Sequence, residues 1–430
     1  MTYCAIDFGT SNSAVALAED ASPRSPDHGS APAASGIRLA PVEGDNVTLP
    51  TAVFFNTDEN CREYGRAALA AYIDGFDGRL MRSMKSILGS PLAQTTTDLG
   101  DGTSIRYLDV IALFLSHLKL KAEAAAGHAL ASVVLGRPVF FVDDDPQADR
   151  LAENQLKEAA RAAGFEHVEF QFEPIAAAFD YESRLTQEKL ALVCDLGGGT
   201  SDFSLVRVGP ERVGRPQRRD DVLAHHGVHV AGTDFDKRVE LTSVMRELGY
   251  QTLDPMGREV PNRAYFDLST WHLINTVYGP RRVAELKLMK HVYRDVRHFE
   301  RLLRTVDRRL GHALAALAEQ AKIAVAAHGA TTLDLGQVEE TLLVPFDHDQ
   351  LIAAGLDETR RIVAAALRTA ELAGVEPAAV GAVYFTGGST GLKFLSDALA
   401  GAFPRAEAVF GDRLASVATG LGLHAARAFG

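Results

Sequence analysis

Apolar residues occur in short blocks along this chain, and glycine and hydroxyl residues close several of the blocks. Cys4-Ala5-Ile6 leads into Asp7-Phe8-Gly9-Thr10-Ser11-Asn12-Ser13, and Ala191-Leu192-Val193-Cys194 leads into Asp195-Leu196-Gly197-Gly198-Gly199-Thr200-Ser201-Asp202. Short apolar runs bounded by turn residues predict buried strands, and the polar cluster after each predicts a tight hairpin turn. Two further strand patterns fall at 133–136 and 168–172. Elsewhere the period lengthens. Val110, Leu113, Phe114 and Leu118 recur at helical spacing within 109–127, and 146–163 is an Ala-, Glu- and Arg-rich helix. More helices are expected within 281–328 and over 357–373 and 414–428, with an exposed hairpin over 207–222. Such alternation of strand and helix indicates a layered α/β fold. Residues 21–36, rich in Pro, Ser, Ala and Gly, read as a flexible insertion between the first two strands rather than a linker between domains.

Length adds one expectation. A chain of 430 residues exceeds what one hydrophobic core organises, so two lobes are predicted. Hydrophobic residues at 47% and charged residues at 23% are the balance of a soluble globular protein. The formal net charge of −12 disfavours nucleic acid or an anionic membrane as a partner, but leaves room for ATP in a local nest of amides. Cys4, Cys61 and Cys194 make no disulfide framework, and Cys4 and Cys194 read as small buried hydrophobes rather than redox groups. No signal-peptide pattern and no apolar run of ~20 residues is found, so a cytoplasmic location is expected.

The two Asp-Gly-Thr turns carry the chemistry. Glycine admits positive φ and close approach to a ligand. Successive N–H groups in such a turn form an anion nest, a neighbouring hydroxyl adds a donor, and the leading carboxylate can hold hydrated Mg²⁺. Two copies about 190 residues apart suggest two halves of one fold closing on a triphosphate, and Thr386-Gly387-Gly388-Ser389-Thr390 adds a third turn. Neither a Walker A loop nor a Rossmann fingerprint after a first strand is present.

These motifs resemble the nucleotide-binding domain of Hsp70, within the actin-like ATPase and sugar-kinase superfamily, and are most similar to the short YegD-type Hsp70 relatives. Asp7 to Ser13 is similar to the family's DLGTTNS and Asp195 to Asp202 to its DLGGGTFD. Glu173-Pro174-Ile175-Ala176-Ala177-Ala178 is similar to EPTAAA, Gly232-Thr233-Asp234-Phe235-Asp236 to GGEDFD, and Thr386 to Thr390 to VGGST. The resemblance implies a ribonuclease H-like duplicated fold with two lobes around a nucleotide cleft. Lobe I would span 1–188 with an insertion near 40–108 and the final helix, 414–430, packed back on it; lobe II would span 189–412 with a helical insertion near 233–345. It further implies a slow Mg-dependent ATPase acting as a molecular chaperone or nucleotide-gated switch, with a protein client or co-chaperone. Because the sequence stops at Gly430, soon after its last helix, no C-terminal substrate-binding domain is expected.

Residue by residue, the resemblance puts Asp7 and Asp195 on Mg²⁺, with Glu173 and Asp202 as supporting acids. Thr10 and Thr200 would bond the γ-phosphate, and Ser11, Asn12, Gly197, Gly198 and Gly199 would supply turn amides. Lys85 matches the catalytic lysine, and Gly232, Thr233, Gly387, Gly388 and Ser389 line the nucleotide turns. Glu319 and Lys322, three apart on one helix face, match ribose contacts of ATP or ADP. The base end departs from the family. Ile323 and Gly391 stand where it has Arg, Ala326 stands where it has Ser, and its NPDEAVA is degraded around Asp412 and Leu414.

Other readings stay open on sequence grounds. Glu173 before Pro174 also fits a helix-start carboxylate, and a lone Lys85 also fits a surface charge. His225, His226 and His229 read as loop and strand rather than a metal site. A nucleotide-gated scaffold without hydrolysis, or a small-molecule kinase, are the rival functions.

Overall fold

In a computed structural model the described residues are 2–19, 36–99, 101–142, 145–215, 217–271, 273–411 and 415–430. Two sheets repeat one topology. In the first, Tyr3–Phe8 and Asn12–Ala18 form a hairpin, Ile37–Leu39 pairs antiparallel to its second strand, and Ser132–Arg137 then His167–Phe172 add parallel to its first. In the second, Lys189–Leu196 and Ser201–Val208 form the hairpin, Val222–Val228 extends it, and Ala382–Thr386 then Glu407–Phe410 add in parallel. Parallel neighbours need crossovers, and helices supply them. Tyr107–Ala126 and Pro146–Ala162 serve the first sheet, and Leu356–Leu372 and Lys393–Ala402 the second.

Each hairpin strand splits its side chains between two cores, as the period of two requires. Cys4, Ile6 and Phe8 pack with Ile111, Phe114 and Leu118 of one crossover helix. Tyr3 and Ala5 turn to the opposite face. There they share one core with Ala191 and Val193 of the second sheet and with Ala176, Ala177, Ala418 and Leu421 of two helices. Those helices, Glu173–Glu182 and Ser416–Phe429, lie against each other and tie the sheets together. Small residues allow this. A Cβ at Gly420 would overlap the carbonyl of Ala176, and one at Gly422 would lie 2.7 Å from the Ile37 side chain.

Several sequence expectations hold, with small shifts in boundary. The apolar-periodic helix is Tyr107–Ala126, closed by Gly127 in the left-handed region at φ 76°. The next, Pro146–Ala162, begins with Asp145 accepting from the N–H groups of Gln147 and Ala148. Cys4 and Cys194 are buried.

Some expectations need adjustment. Two strands, not one, precede the Pro/Ser/Ala-rich segment, because the Gly9–Ser11 turn is short enough to close a hairpin before it; 21–35 lie outside the described residues. The connection after Ser201–Val208 does join antiparallel strands and is largely exposed, but two of its ions are buried. Arg218 in it is 2% exposed and donates to both oxygens of Glu182 at 2.9 and 2.8 Å, while also pairing with Asp221. Arg218 and Asp221 look like solvent loop in sequence but are paired ions, pinned by Arg218 on the helix Glu173–Glu182. Lys85 lies on a 3-10 turn, Met84–Ile87. The charged helical stretch is also divided, into Pro280–Lys287, a 3-10 segment, Val296–Asp307 and Gly311–His328.

The close helix pair generates a test. Gly420→Ala should destabilise the protein by about 1–3 kcal/mol through overpacking. Gly401→Ala, with nothing within 4 Å of the added carbon, should stay within about 0.5 kcal/mol. Urea midpoints of the two variants measure the difference.

Candidate nucleotide site

The turns of the two hairpins meet. Gly198 lies against Ser11, so that a Cβ there would stand 2.8 Å from the Ser11 hydroxyl oxygen. Both turns are held from behind by their carbonyls. In the first, the Thr51 hydroxyl donates to Gly9 O and the Thr51 N–H donates to Ser11 O, each at 2.8 Å. In the second, Gly197 N–H donates to Thr200 O at 3.0 Å, and Gly197 O accepts from the Ser389 hydroxyl at 2.7 Å. Gly198 O accepts from both the N–H and the hydroxyl of Thr233 at 2.8 Å. In a trans peptide the C=O and the following N–H point opposite ways. With the carbonyls of Gly197 and Gly198 turned toward Ser389 and Thr233, the amides of Gly198 and Gly199 face the other side, the arrangement of an anion nest. The third turn crosses the same place. Gly387, at φ 89°, sits where a Cβ would be 2.5 Å from Leu196 O and 2.8 Å from an Asp195 carboxylate oxygen. Only glycine fits there.

Charge concentrates beneath these turns. Lys85 is carried on its 3-10 turn by Ser83, a non-glycine residue in the left-handed region at φ 53°. Such a residue costs about 1–2 kcal/mol, so the local fold holds Lys85 in place at an energetic expense. Lys85 Nζ donates to Glu173 Oε1 at 2.5 Å, and the two side chains are 10% and 15% exposed. Glu173 opens its helix directly after the preceding strand, which aims it inward. Burial alone would lower the Lys85 pKa, but the carboxylates of Glu173, Asp7 and Asp195 outweigh it and raise it. Burial, and then Glu173, pushes Asp7 up to about 7. Burial, and then Asp202, Glu173 and Asp7, pushes Asp195 up to about 8. Thr200 donates its hydroxyl to Asp202 Oδ2 at 2.7 Å.

The site's acids fit a hydrated divalent cation. Asp7 and Asp195 are half-buried, and desolvation with neighbouring carboxylates holds back their ionisation, which a divalent charge would restore. Among the described residues the only trio with ligand atoms mutually within 4.8 Å is the surface set Glu59, Cys61 and Glu63. A site with one or two carboxylates suits Mg²⁺, which keeps several of its waters.

Most of the residues singled out in the sequence thus gather in one place. Lys85, Glu173, Asp7 and Asp195 form the charged floor, and Ser11, Gly197, Gly198, Gly232, Thr233, Gly387 and Ser389 are joined by the contacts of the turns. Lys322 reaches the edge of this group, donating to Gly232 O at 3.3 Å and pairing with Asp236 at 2.6 Å. Others have looser connections. Asn12 begins a strand with an exposed side chain, and nothing lies within 4 Å of a Cβ at Gly199. Gly388 opens the third turn, while Glu319 interacts electrostatically with Arg82 and Asp236. Asp412 and Leu414 lie outside the described residues. Sequence reading missed Thr51, whose only local signal is its place after Pro50 at the end of a short strand. It set aside His225, which lines a cavity of about 40 Å³ together with Glu173, Asp195 and Asp202.

With this geometry described, the family comparison becomes informative. Residues 85–248 match the family model described as Hsp70 protein. This supports membership of the Hsp70 family. The matched 164 of 430 residues run from Lys85 through Glu173 and the second turn to the helix that begins at Gly232. They support an Hsp70-like nucleotide-binding protein, and that family typically binds ATP or ADP with Mg²⁺. No helix among the described residues is long and apolar enough to cross a membrane.

The raised carboxyls give a pH prediction. In the folded chain Asp195 keeps its proton up to about 8, against the usual 3.8. The native state therefore binds more protons than the unfolded chain across that window, and the metal-free protein should lose stability as pH rises through it. Asp195→Asn keeps the shape and removes the charge. It should raise the melting temperature of the metal-free protein at pH 8 and shrink the stabilisation by Mg²⁺. Melting curves at pH 5 and 8 with Mg²⁺ or EDTA check this; a lower melting temperature than wild type at pH 8 counts against it.

Proposed function

We propose that this chain is a slow Mg-dependent ATPase of Hsp70 type, used as a nucleotide-gated switch or chaperone motor, in which two lobes close on the nucleotide. One observation carries the reading: the glycine turns of two like-folded sheets meet at Ser11 and Gly198, over the buried Lys85–Glu173 pair. Phosphoryl transfer to water is mostly positioning and charge stabilisation, and this site is equipped for both. Asp7 and Asp195 would hold Mg²⁺ through its waters. The bound ion would neutralise phosphate charge. The amides of Gly198 and Gly199 would receive phosphate oxygens. Lys85, fixed by Glu173, would stabilise charge at the γ-phosphate. Residues 1–188 with the final helix, and residues 189–412, would be the two lobes.

A scaffold without turnover is the rival reading, and a small-molecule kinase is another. A Lys held by one buried carboxylate beside two more is a costly arrangement for a scaffold. Single-turnover assays with γ-labelled ATP separate the three: phosphate release to water supports the ATPase, none supports the scaffold, and transfer to an added acceptor supports the kinase. Lys85→Ala should lower kcat on the order of a hundredfold, as loss of an aimed charge donor does, and leave ADP affinity within a few-fold. Equal losses in both would make Lys85 a binding residue.

Base discrimination should be weak. Ile323, on the same helix as Lys322, is 57% exposed, and Gly391 ends the third turn without a side chain. Neither offers the planar cation that stacks on a base, a contact worth roughly 0.5–2 kcal/mol. GTP should therefore bind within about tenfold of ATP, an affinity gap of ~1.4 kcal/mol. Calorimetry with each Mg-nucleotide decides it, and a preference for ATP beyond about a hundredfold (~2.8 kcal/mol) would require another base contact.

A further inference from the structure

The strand register assembles a polar chain behind the second turn. Asp202 pairs with Asp195 on one side and Gly227 on the other, and Ser204 pairs with His225. Alternate residues of a strand share a face, so Asp202, Ser204, His225 and Gly227 stand together beside Asp195. Gly227 leaves room for the Asp202 carboxylate: a Cβ there would stand 2.5 Å from Asp202 Oδ1. Across that gap Oδ1 lies 3.9 Å from His225 Nε2. The other oxygen, Oδ2, accepts the Thr200 hydroxyl at 2.7 Å. On the far side of the ring, His225 Nδ1 is 3.0 Å from the Ser204 hydroxyl oxygen. The imidazole is 8% exposed and stands edge-on to Phe140, whereas the Asp202 side chain is 42% exposed. The 3.9 Å separation is too long for a direct hydrogen bond. The adjoining cavity of about 40 Å³ has the volume and the polar walls for a bridging water.

We propose that Ser204 and His225 set the polarity of this chain, and that His225 is a positioning residue for Asp202 and, through it, for Thr200. The inference rests on the ATP-hydrolysing reading of the site. Asp202 as a carboxylate can only accept; in the proposed chain the bridging water donates to Oδ1 and accepts from the ring's Nε2–H, and Nδ1 accepts from the Ser204 hydroxyl. Asp202 is anchored at Oδ1 and directs Oδ2 at Thr200. The Thr200 proton is committed to Oδ2, so its oxygen offers only lone pairs to the cleft. A lone pair accepts an O–H of water and repels a phosphate oxygen. Thr200 therefore orients the attacking water and does not donate to the γ-phosphate, the role that resemblance alone assigned it. Free rotation of Asp202 would release the Thr200 proton and scramble that orientation.

Two variants and one spectrum test this. His225→Phe keeps ring volume and the contact with Phe140 but removes both nitrogens. Its single-turnover hydrolysis should fall on the order of tenfold to a hundredfold, the scale of a misplaced reactant, with ADP affinity within about twofold. His225→Gln restores a side-chain N–H donor and should recover part of the lost rate. Wild-type rate in His225→Phe, parallel loss of rate and ADP affinity, or no recovery in His225→Gln would each overturn the proposal. Long-range proton–nitrogen NMR of ¹⁵N-histidine protein, assigned with His225→Phe, reads the tautomer without any turnover. The Nε2–H form is expected, and Nδ1–H would overturn the chain of donors. Absence of hydrolysis in the wild type would instead defeat the ATPase reading, and the tautomer would still decide the polarity of the chain.

Discussion

The approach of two helices governs the rest of the molecule. Glu173–Glu182 and Ser416–Phe429 are held at a separation set by Gly420 against the Ala176 carbonyl. Because the first helix touches both sheets and the second rests on the first sheet, that contact also sets how the sheets face each other. Alanines at 5, 16, 191 and 418 keep the shared core thin. A larger residue there would push the sheets apart and separate Ser11 from Gly198, well away from the substitution itself. The nest between the turns is thus a consequence of small side chains in the core beneath it.

The same helix links packing to charge. Its first residue, Glu173, holds Lys85, and its third turn carries Glu182, which holds Arg218. One end therefore organises the charged floor of the site, and the other pins the connection between two strands of the second sheet. At the charged end, carboxylates outnumber cations: Asp7, Glu173, Asp195 and Asp202 act on each other, with Lys85 as the positive group among them. Such a cluster is poorly satisfied by the protein alone, which is why the proposed function places a divalent ion there. Its residual polarity extends backward through Asp202 to His225 and Ser204, so the site is deeper than its glycine turns suggest.

Much of this was legible in the sequence, for a local reason. Apolar blocks ending in Asp and Gly predicted both hairpins because strand period and turn chemistry are encoded within a dozen residues. Lys85 and Glu173 were legible only through family resemblance, since nothing near either residue in sequence says that they meet. At 207–222 the hairpin was legible but the burial of Arg218 and Asp221 was not, because paired ions have the composition of solvent loop. His225 was passed over because a histidine in a strand pattern carries no mark of which face it occupies.

The sequence by itself determined the α/β alternation and the positions of the three glycine turns, both of which are properties of short windows. Tertiary structure alone decided that the two sheets repeat one order, that Thr51 braces the first turn, that Lys85 sits on a 3-10 turn entered through Ser83 in the left-handed region, and that Gly227 opens a path from Asp202 to His225. These depend on register between strands and on helix separation. Both are set by long-range packing, where a shift of one residue moves a side chain to the opposite face.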